Sequence, residues 1–477
     1  MPSFDVPPQI FREYDIRGVA DQHLSSDLFR ALGRAFSTLF PRAGEAGARR
    51  VKVAVGRDCR LSSPRLHEAL IDGLTAGGLD VVDIGVGPTP QLYFAVHHLE
   101  VDGGLMITGS HNPAPENGIK MLRRTGSIYG EEIQALRRRI EADDVPVAKV
   151  RGDLGHYDVV PAYVEHVAKD VRVDDKSFPV VVDAGNGAGG PLAMATLKAL
   201  GLTPVPLYCE MDGRFPNHHP DPTQPENVAE LIATVKKSGA RVGLAFDGDA
   251  DRLGAIDADG SIVWGDRLLT LFARDILRDR PGGAILGEVK CSQTLYDDIA
   301  RHGGRPILWK TGHSLIKAKM KEEKALLAGE MSGHLFFADR YFGFDDAIYA
   351  ACRLIEILAR EGKSIGELLA DLPPTFVTPE IRVDCPDATK FALVDRVKKH
   401  FQERARVGAE VAGMKVREVI DVDGARVIFD HGWGLVRASN TQPVLVVRFE
   451  ADTEARRDAI HAAVQNAIDE MRAGLPG

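Results

Sequence analysis

The chain has 477 residues, of which 44% are hydrophobic and 27% charged, a mixture that excludes disordered and fibrous classes. At that length a single core is not expected; three or four domains are. Lys and Arg total 59 against 68 Asp and Glu, for a net charge of −9. That balance argues against nucleic acid or an anionic membrane as a partner, and an anionic substrate would need a local cationic pocket. The five cysteines are scattered without a CxxC pair, which excludes a disulfide framework and a zinc site and points to a reducing cytosol. The start, Met-Pro-Ser-Phe-Asp, lacks the basic and apolar regions of a signal peptide. No apolar run approaches the ~18 residues of a membrane helix, so a cytoplasmic location is expected.

In chain order the rhythm is strand, loop, helix. Leu28–Phe40 reads as a helix, Pro41–Arg50 as an exposed loop and Val51–Val55 as a strand. Ser63-Pro64 reads as an N-cap followed by Pro, opening a helix with Leu66, Leu70 and Leu74 on one face. Val81–Ile84, Leu105–Thr108, Val180–Asp183, Val242–Phe246, Ala284–Leu286 and Pro306–Trp309 read as buried strands, and Ile348–Leu358 as a helix. The alternation predicts parallel βαβ units with sites at strand carboxyl ends. After Pro373-Pro374 the pattern changes. Val416–Val422, Ala425–Phe429, Trp433–Ala438 and Val444–Glu450 read as strands, with Asp423-Gly424 as a hairpin signal and Glu454–Met471 as a closing helix. The last hundred residues are therefore expected to be α+β. There is no low-complexity tract, although the three α/β units could be distant copies of one another.

Asp247-Gly-Asp249-Ala-Asp251-Arg252 directly follows an apolar strand. Carboxylates at i, i+2 and i+4 can converge on one hard cation, with Gly248 supplying backbone freedom, and magnesium is favoured because its shell leaves room for phosphate oxygens. An EF-hand fails, since Arg252 and Ala258 stand where its Gly and Glu belong. Thr108-Gly-Ser110-His111-Asn112-Pro113 also follows a strand. Ser110 and His111 are adjacent, which disfavours a nucleophile–base pair, and the Gly-x-Ser-x-Gly elbow is absent; a serine here could carry a phosphoryl group. Gly185-Asn-Gly187-Ala-Gly-Gly190, with Glu210 twenty residues on, fits a dinucleotide fingerprint, but a packing turn is the favoured alternative. Gly362-Lys-Ser364 lacks the first glycine of a P-loop, and His218-His219 is better read as loop than as chelate. Gly329-Glu330-Met331-Ser332-Gly333-His334 suits sugar hydroxyls, while Arg437-Ala-Ser439-Asn440-Thr441 suits a phosphate.

Together these loops closely resemble the α-D-phosphohexomutase family, in its phosphomannomutase/phosphoglucomutase branch. The resemblance rests on Tyr14-Asp-Ile-Arg17-Gly18, the Ser110 loop, the Asp247 loop, Lys310-Thr-Gly-His313, the Glu330 loop and the Arg437 loop, in the family's order. It implies four domains around a central cleft, three α/β domains with mixed sheets and a smaller C-terminal α+β domain, here placed at 1–155, 156–260, 261–372 and 373–477. It further implies that Ser110 is the phosphoserine and, with Asp247, Asp249 and Asp251, holds Mg2+. Arg17, Lys120 and Arg252 match positions near the transferring phosphoryl group. Tyr14, Lys290, His313, Glu330 and Ser332 match substrate positions, and Arg437, Ser439, Asn440 and Thr441 the cradle of the non-reacting phosphate. His334 and Lys120 are favoured as general acid and base, each expected to be tuned near neutrality.

The implied reaction interconverts hexose 1-phosphate and 6-phosphate of mannose or glucose through a hexose 1,6-bisphosphate, with domain four swinging as the intermediate turns. Small hexose phosphates are the implied partners and a monomer is expected. Met331 stands where the aminosugar branch typically has glutamine, which makes phosphoglucosamine mutase the rival within the fold. A nicotinamide oxidoreductase using the Gly185 loop leaves the acidic triplet without a role. A non-enzymatic sugar-phosphate sensor leaves Ser110 and the metal ligands without one.

Overall fold

The computed structural model describes residues 4–41, 49–440 and 442–473. Most of the expected Pro41–Arg50 loop, and Thr441, lie outside the described residues. Four sheets succeed one another along the chain. In the first, Lys52–Arg57 lies between the parallel strands Asp80–Val86 and Gly103–Ile107; Glu116–Arg123 and then Ile16–Val19 continue the sheet antiparallel. The second sheet pairs Val242–Phe246 parallel to Val180–Asp183 and antiparallel to Leu253–Asp257. In the third, Ala284–Glu288 is flanked by the parallel strands Arg305–Trp309 and Leu327–Gly329, and Leu335–Phe337 returns antiparallel. The fourth is antiparallel, with Ala425–Phe429, Gly432–Ala438 and Val444–Ala451 at its centre and helices Asp387–Arg406 and Glu454–Arg472 packed with it. This is the expected architecture of three mixed α/β domains and a C-terminal α+β domain. No helix among the described residues is long and apolar enough to cross a membrane.

The βαβ expectation needs one correction. Four of the site loops join a strand to its antiparallel neighbour and not to a helix; the Lys310–His313 loop, by contrast, leads from a strand into a helix. Ser110 lies between Gly103–Ile107 and Glu116–Arg123, Asp247–Arg252 between Val242–Phe246 and Leu253–Asp257, and Glu330–His334 between Leu327–Gly329 and Leu335–Phe337. The Ser439 loop likewise joins Gly432–Ala438 to Val444–Ala451. The return strands lack a strong apolar run in two cases, because Asn117, Gly118 and Lys120, and Gly254 and Asp257, interrupt them. Boundaries also shift. The helix expected over Leu28–Phe40 is Ser26–Ser37, started by Ser25, whose Oγ accepts from the Leu28 N–H at 3.1 Å. Ser63 lies inside its helix, with Ser62 at the N-cap position, because the Ser63 hydroxyl is taken by Asp58. Strand Met414–Ile420 ends before Val422. The first sheet runs to His156 and the second to Val263, slightly beyond the expected limits at 155 and 260.

The second and third domains meet through buried polar groups as well as apolar ones. Asp346 caps helix Ala347–Glu361, its Oδ1 accepting from the Tyr349 N–H at 2.8 Å. Its carboxylate also accepts from the phenols of Tyr163 (2.9 Å), on helix Val160–Asp170, and Tyr341 (2.8 Å). Burial pushes Asp346 up to about 6, against the pull of these donors.

Removing the Tyr163 donor in Tyr163→Phe is expected to cost about 1–3 kcal/mol. The donor favours the ionised carboxylate, so its loss raises the folded-state pKa further, and the deficit grows as pH rises through about 6. Urea unfolding at pH 5 and 7.5 reads both effects. An unchanged midpoint, or an equal deficit at both pH values, would show that the phenol does not support the carboxylate.

Candidate active site

The Ser110 loop is held from below by a residue the sequence reading passed over. Arg60 is buried, and its guanidinium donates to the carbonyls of Ser110 (2.7 Å), Asn112 (2.6 Å), Pro113 (2.7 Å) and Glu116 (2.9 Å). Asp58 faces the guanidinium at 3.2 Å and accepts from the Gly109 N–H at 3.1 Å. The available signal was a charged pair, Asp58 and Arg60, directly after an apolar strand. Ser110 adopts φ 49°, which brings its Oγ within 3.2 Å of His111 Nδ1. Adjacent residues therefore do meet here, contrary to the expectation that they would not. Burial, with Arg252 and Arg17 nearby, pushes His111 well below its ordinary range, leaving a neutral imidazole.

The acidic loop meets this serine directly. Ser110 Oγ donates to Asp247 Oδ2 at 3.0 Å, and Asp247 Oδ1 accepts from the N–H groups of Asp251 and Arg252, both at 3.1 Å. Gly248 serves close approach here, since a Cβ would lie 2.3 Å from the Ser110 carbonyl oxygen; the left-handed residue is Ala250, at φ 53°. Asp249 accepts from Thr89 Oγ1 at 2.5 Å and Lys120 Nζ at 2.8 Å, and Lys120 also contacts Asp251. Arg17 donates to Asp15 (2.7 Å) and Asn112 (3.0 Å), on the other side of the loop.

All three carboxylates are fully buried, and their ligand oxygens lie within 4.8 Å of one another. Burial and the two neighbouring carboxylates push Asp247 well up, whereas Lys120 brings Asp249 and Asp251 down despite burial. Among the described residues Asp249 Oδ1 has no hydrogen-bond partner, and Asp251 Oδ1 has only His334 Nε2 at 3.2 Å. An all-oxygen, anionic set with an orphaned buried oxygen beside a hydroxyl fits a hard divalent cation. A second group, Asp251, His334 and Asp345, is also compact, but His334 Nδ1 is engaged by Glu330 at 2.7 Å.

His334 joins the acidic loop to the Glu330 loop, and Arg252 and His334 form a backbone bridge. Burial opposes its charge, but Asp251 and Glu330 raise it to about 9. Glu330 is held down at about 2 against burial, mainly by His334. Its Oε1 accepts from the Gly312 N–H at 2.7 Å. Two carboxylates likewise raise Lys120 well above its ordinary value despite burial. Neither group is tuned near neutrality, because each is paired with two anions. Ser332 Oγ lies 3.3 Å from His334 Nδ1.

His313 opens helix His313–Glu323 and stacks on His334 with ring centroids 5.8 Å apart. Lys290 lies between Glu380 (3.1 Å) and Glu288 (3.4 Å). Arg437 Nε donates to Asp423 at 2.9 Å, and Asp423 accepts from the Thr311 N–H at 3.2 Å. Asn440 Nδ2 donates to the Tyr14 hydroxyl at 2.9 Å, which donates to the Thr311 carbonyl at 3.1 Å. The Tyr14 ring packs where a Cβ on Gly312 would fall, 2.6 Å from Cζ, and Gly312 has φ 128°. The Ser439 Oγ accepts from the Gln442 N–H at 3.1 Å. Sequence reasoning missed Glu288, Asp345, Asp423 and Thr89, whose parts become visible only through their partners.

The remaining motifs resolve structurally. Ala188 N–H donates to the Gly248 carbonyl at 2.9 Å, and a Cβ on Gly187 would lie 2.8 Å from that oxygen, so the Gly185 turn packs against the acidic loop. His218 pairs with Asp183 at 3.0 Å. Gly362 ends a helix at φ 67°, and Ser364 begins the next with a capping box to Glu367.

Profiles for phosphoglucomutase/phosphomannomutase α/β/α domains I, II and III match residues 8–146, 161–260 and 264–376, and the C-terminal domain profile matches 380–467. A phosphomannomutase/phosphoglucomutase of Pseudomonas aeruginosa is 46% identical over 471 residues, covering 99% of this chain and 98% of that protein. A phosphoglucomutase of Neisseria gonorrhoeae is 44% identical, covering 96% of each chain. The crystal structure of a phosphoglucomutase/phosphomannomutase family protein from Burkholderia thailandensis superposes with a TM-score of 0.89 at 43% identity, covering 99% of both chains. With all four of its domains matched in order and these levels of identity across nearly its whole length, the chain belongs to the phosphoglucomutase/phosphomannomutase family, an isomerase of phosphohexoses.

Proposed function

We propose that Ser110 carries the phosphoryl group through which hexose 1-phosphate and hexose 6-phosphate are interconverted. The observation that carries this reading is the 3.0 Å contact of Ser110 Oγ with Asp247, inside a buried acidic set and on a loop pinned by Arg60. In the first transfer the bond from phosphorus to Ser110 Oγ breaks, one from phosphorus to a sugar hydroxyl oxygen forms, and the proton that hydroxyl loses is matched by one gained at Ser110 Oγ; the second transfer runs the other way, from a sugar oxygen back to Ser110 Oγ. The product of the first transfer is a hexose 1,6-bisphosphate, which turns in the cleft and returns its other phosphate to Ser110; the same bisphosphate loads the resting serine. Asp247, Asp249, Asp251 and Ser110 would hold Mg2+, which supplies charge neutralisation to the transferring group when bound.

Arg17 and Arg252 face the Ser110 loop and offset charge there. Lys120, held by two carboxylates, and His334, held by Asp251 and Glu330, are cationic at neutral pH and suit proton donation to the oxygen that leaves phosphorus. Glu330 and Ser332 would address sugar hydroxyls, with Lys290 and His313 beside them and Tyr14 closing the edge. Arg437, Ser439, Asn440 and Thr441 would cradle the phosphate that is not reacting. That cradle must accept either end of the bisphosphate, and a swing of the fourth domain would give the intermediate room to turn. The reading includes a monomeric cytoplasmic enzyme acting on small hexose phosphates, with neither nucleic acid nor membrane as partner.

Asp249→Asn removes one anionic ligand while keeping shape. The magnesium concentration for half-maximal activity is expected to rise at least by the about 10–100-fold that loss of an outer-shell partner alone costs. A magnesium titration of activity reads this, and an unchanged requirement would remove the acidic loop from the site.

Arg437→Ala is expected to raise KM for the hexose phosphate about 10- to 100-fold with kcat little changed. The cradle contact is made equally in ground and transition states, and a charge-assisted bond contributes about 1.5–3 kcal/mol. A fall in kcat larger than the rise in KM would place Arg437 at the reacting end.

Glucose 1-phosphate and mannose 1-phosphate differ only at the 2-hydroxyl, whereas the family resemblance would put Glu330 and Ser332 at the shared 3- and 4-hydroxyls. Their kcat/KM values are expected to agree within about two orders of magnitude, with glucosamine 1-phosphate poorer. Preference for glucosamine 1-phosphate would instead favour the aminosugar reading.

A further inference from the structure

Away from the catalytic loops, the first and third domains enclose a cavity of about 500 Å3. One side is the far end of the Glu116–Arg123 strand and its turn at Thr125; the other is the outward face of helix His313–Glu323 and the Phe342–Phe344 loop. Arg123, Arg124, Lys317, Lys321 and Lys324 line it, and among the described residues no Asp or Glu does. In a chain of net charge −9 this concentration of cations is local and one-sided.

Three of the five are answered from outside the cavity. Arg123 pairs with Glu132 at 2.6 Å, Arg124 approaches Glu100 at 3.6 Å, and Lys317 pairs with Asp345 at 2.8 Å. Lys321 Nζ donates only to the Thr125 carbonyl, at 3.2 Å, and Lys324 has no carboxylate within 4.0 Å among the described residues. Two ammonium groups one helical turn apart therefore face a shared space with their charge unanswered. Lys324 stands in the left-handed conformation at φ 52°, ending the helix. A cation at a helix carboxyl end is favourable, but it leaves the charge available to an incoming anion.

The other character of the lining is aromatic. Tyr93, His97, Phe342 and Phe344 form the remaining wall. His97 and His166 stack on Phe342 at 4.8 and 5.3 Å, holding the ring in place although it is 40% exposed. Burial, with Arg124 beside it, lowers His97, so the wall is aromatic and uncharged. A large, partly exposed aromatic sharing one cavity with unanswered cations is a two-part recognition surface, one part for a planar ring and one for an anion. The volume lies within the ~300–1,000 Å3 of small-ligand sites.

We propose that this cavity is a second binding site, distinct from the catalytic cleft, for a nucleoside phosphate, with the base against the Phe342 wall and the phosphates at Lys321 and Lys324. Its occupant would touch both the first and the third domain. Lys317 links the wall to the cleft, because the Asp345 that pairs with it lies 3.8 Å from His313 Nδ1.

The test titrates the full-length protein with ADP, adenosine and inorganic phosphate by calorimetry, with the catalytic cleft saturated by glucose 1,6-bisphosphate. ADP is expected to bind, and each of the other two to bind at least about tenfold more weakly. The Lys321→Glu/Lys324→Glu variant is expected to lose at least about tenfold in ADP affinity while its mutase turnover without ADP stays wild-type. Phe342→Ala is expected to weaken ADP but leave inorganic phosphate unchanged. The proposal is overturned by any of four results: no ADP binding to the wild type, ADP affinity retained in the double variant, phosphate binding as tight as ADP, or displacement of ADP by the bisphosphate.

Discussion

Three fully buried carboxylates on one five-residue stretch set the terms for the rest of this structure. Two unit charges 4 Å apart repel by about 4 kcal/mol at an effective dielectric constant near 20, so three together cannot stay ionised without compensation. The chain supplies it in graded form. Lys120 reaches in from the first domain, His334 from the third, and Asp247 turns its oxygens to two backbone N–H groups and the Ser110 hydroxyl. Lys120 and His334 come from different domains, so charge compensation and domain assembly are one problem. Truncating Lys120 or His334 would leave a buried charge uncompensated, a costlier change than losing a surface ion pair.

The same geometry explains why the loops can meet. In each α/β domain the Ser110, Asp247 or Glu330 loop connects a parallel strand to an antiparallel return strand. A connection of that kind projects from the sheet edge without a helix behind it, which leaves room for another domain to approach. Gly248 shows how close the approach is, because any side chain there would collide with the Ser110 backbone. Gly312 does the same for Tyr14, which reaches from the first domain to Asn440 in the loop after Gly432–Ala438 of the fourth. Arg60 completes the arrangement by holding four carbonyls of the Ser110 loop, replacing hydrogen bonds that an isolated loop would make with water.

Much of this was legible in the sequence, for identifiable reasons. The strands entering the site are continuous apolar runs such as Val242–Phe246, and the acidic triplet follows one without a break. The return strands were not legible, because a strand carrying Lys120 into a site cannot also be a clean apolar run. The partners of the site residues were hidden for a different reason. Glu288, Asp345 and Asp423 are ordinary acids in sequence and acquire meaning only from the Lys290, Lys317 and Arg437 they face in space. The expectation that Lys120 and His334 lie near neutrality failed on the same point, since it counted each group without its two anions. Left-handed Ser110 is the last case; spacing alone said that Ser110 and His111 would diverge, and one positive φ reverses that.

The most direct measurement is the intact mass of the purified protein before and after incubation with glucose 1,6-bisphosphate and magnesium, with the modified residue located by peptide fragmentation. A phosphoserine at residue 110 implies a gain of one phosphoryl group on that residue alone, removed again by excess hexose monophosphate and absent from Ser110→Ala protein. A protein that turns over hexose phosphates while Ser110 stays unmodified under all these conditions, or that carries the phosphoryl group on another residue, would contradict the assignment.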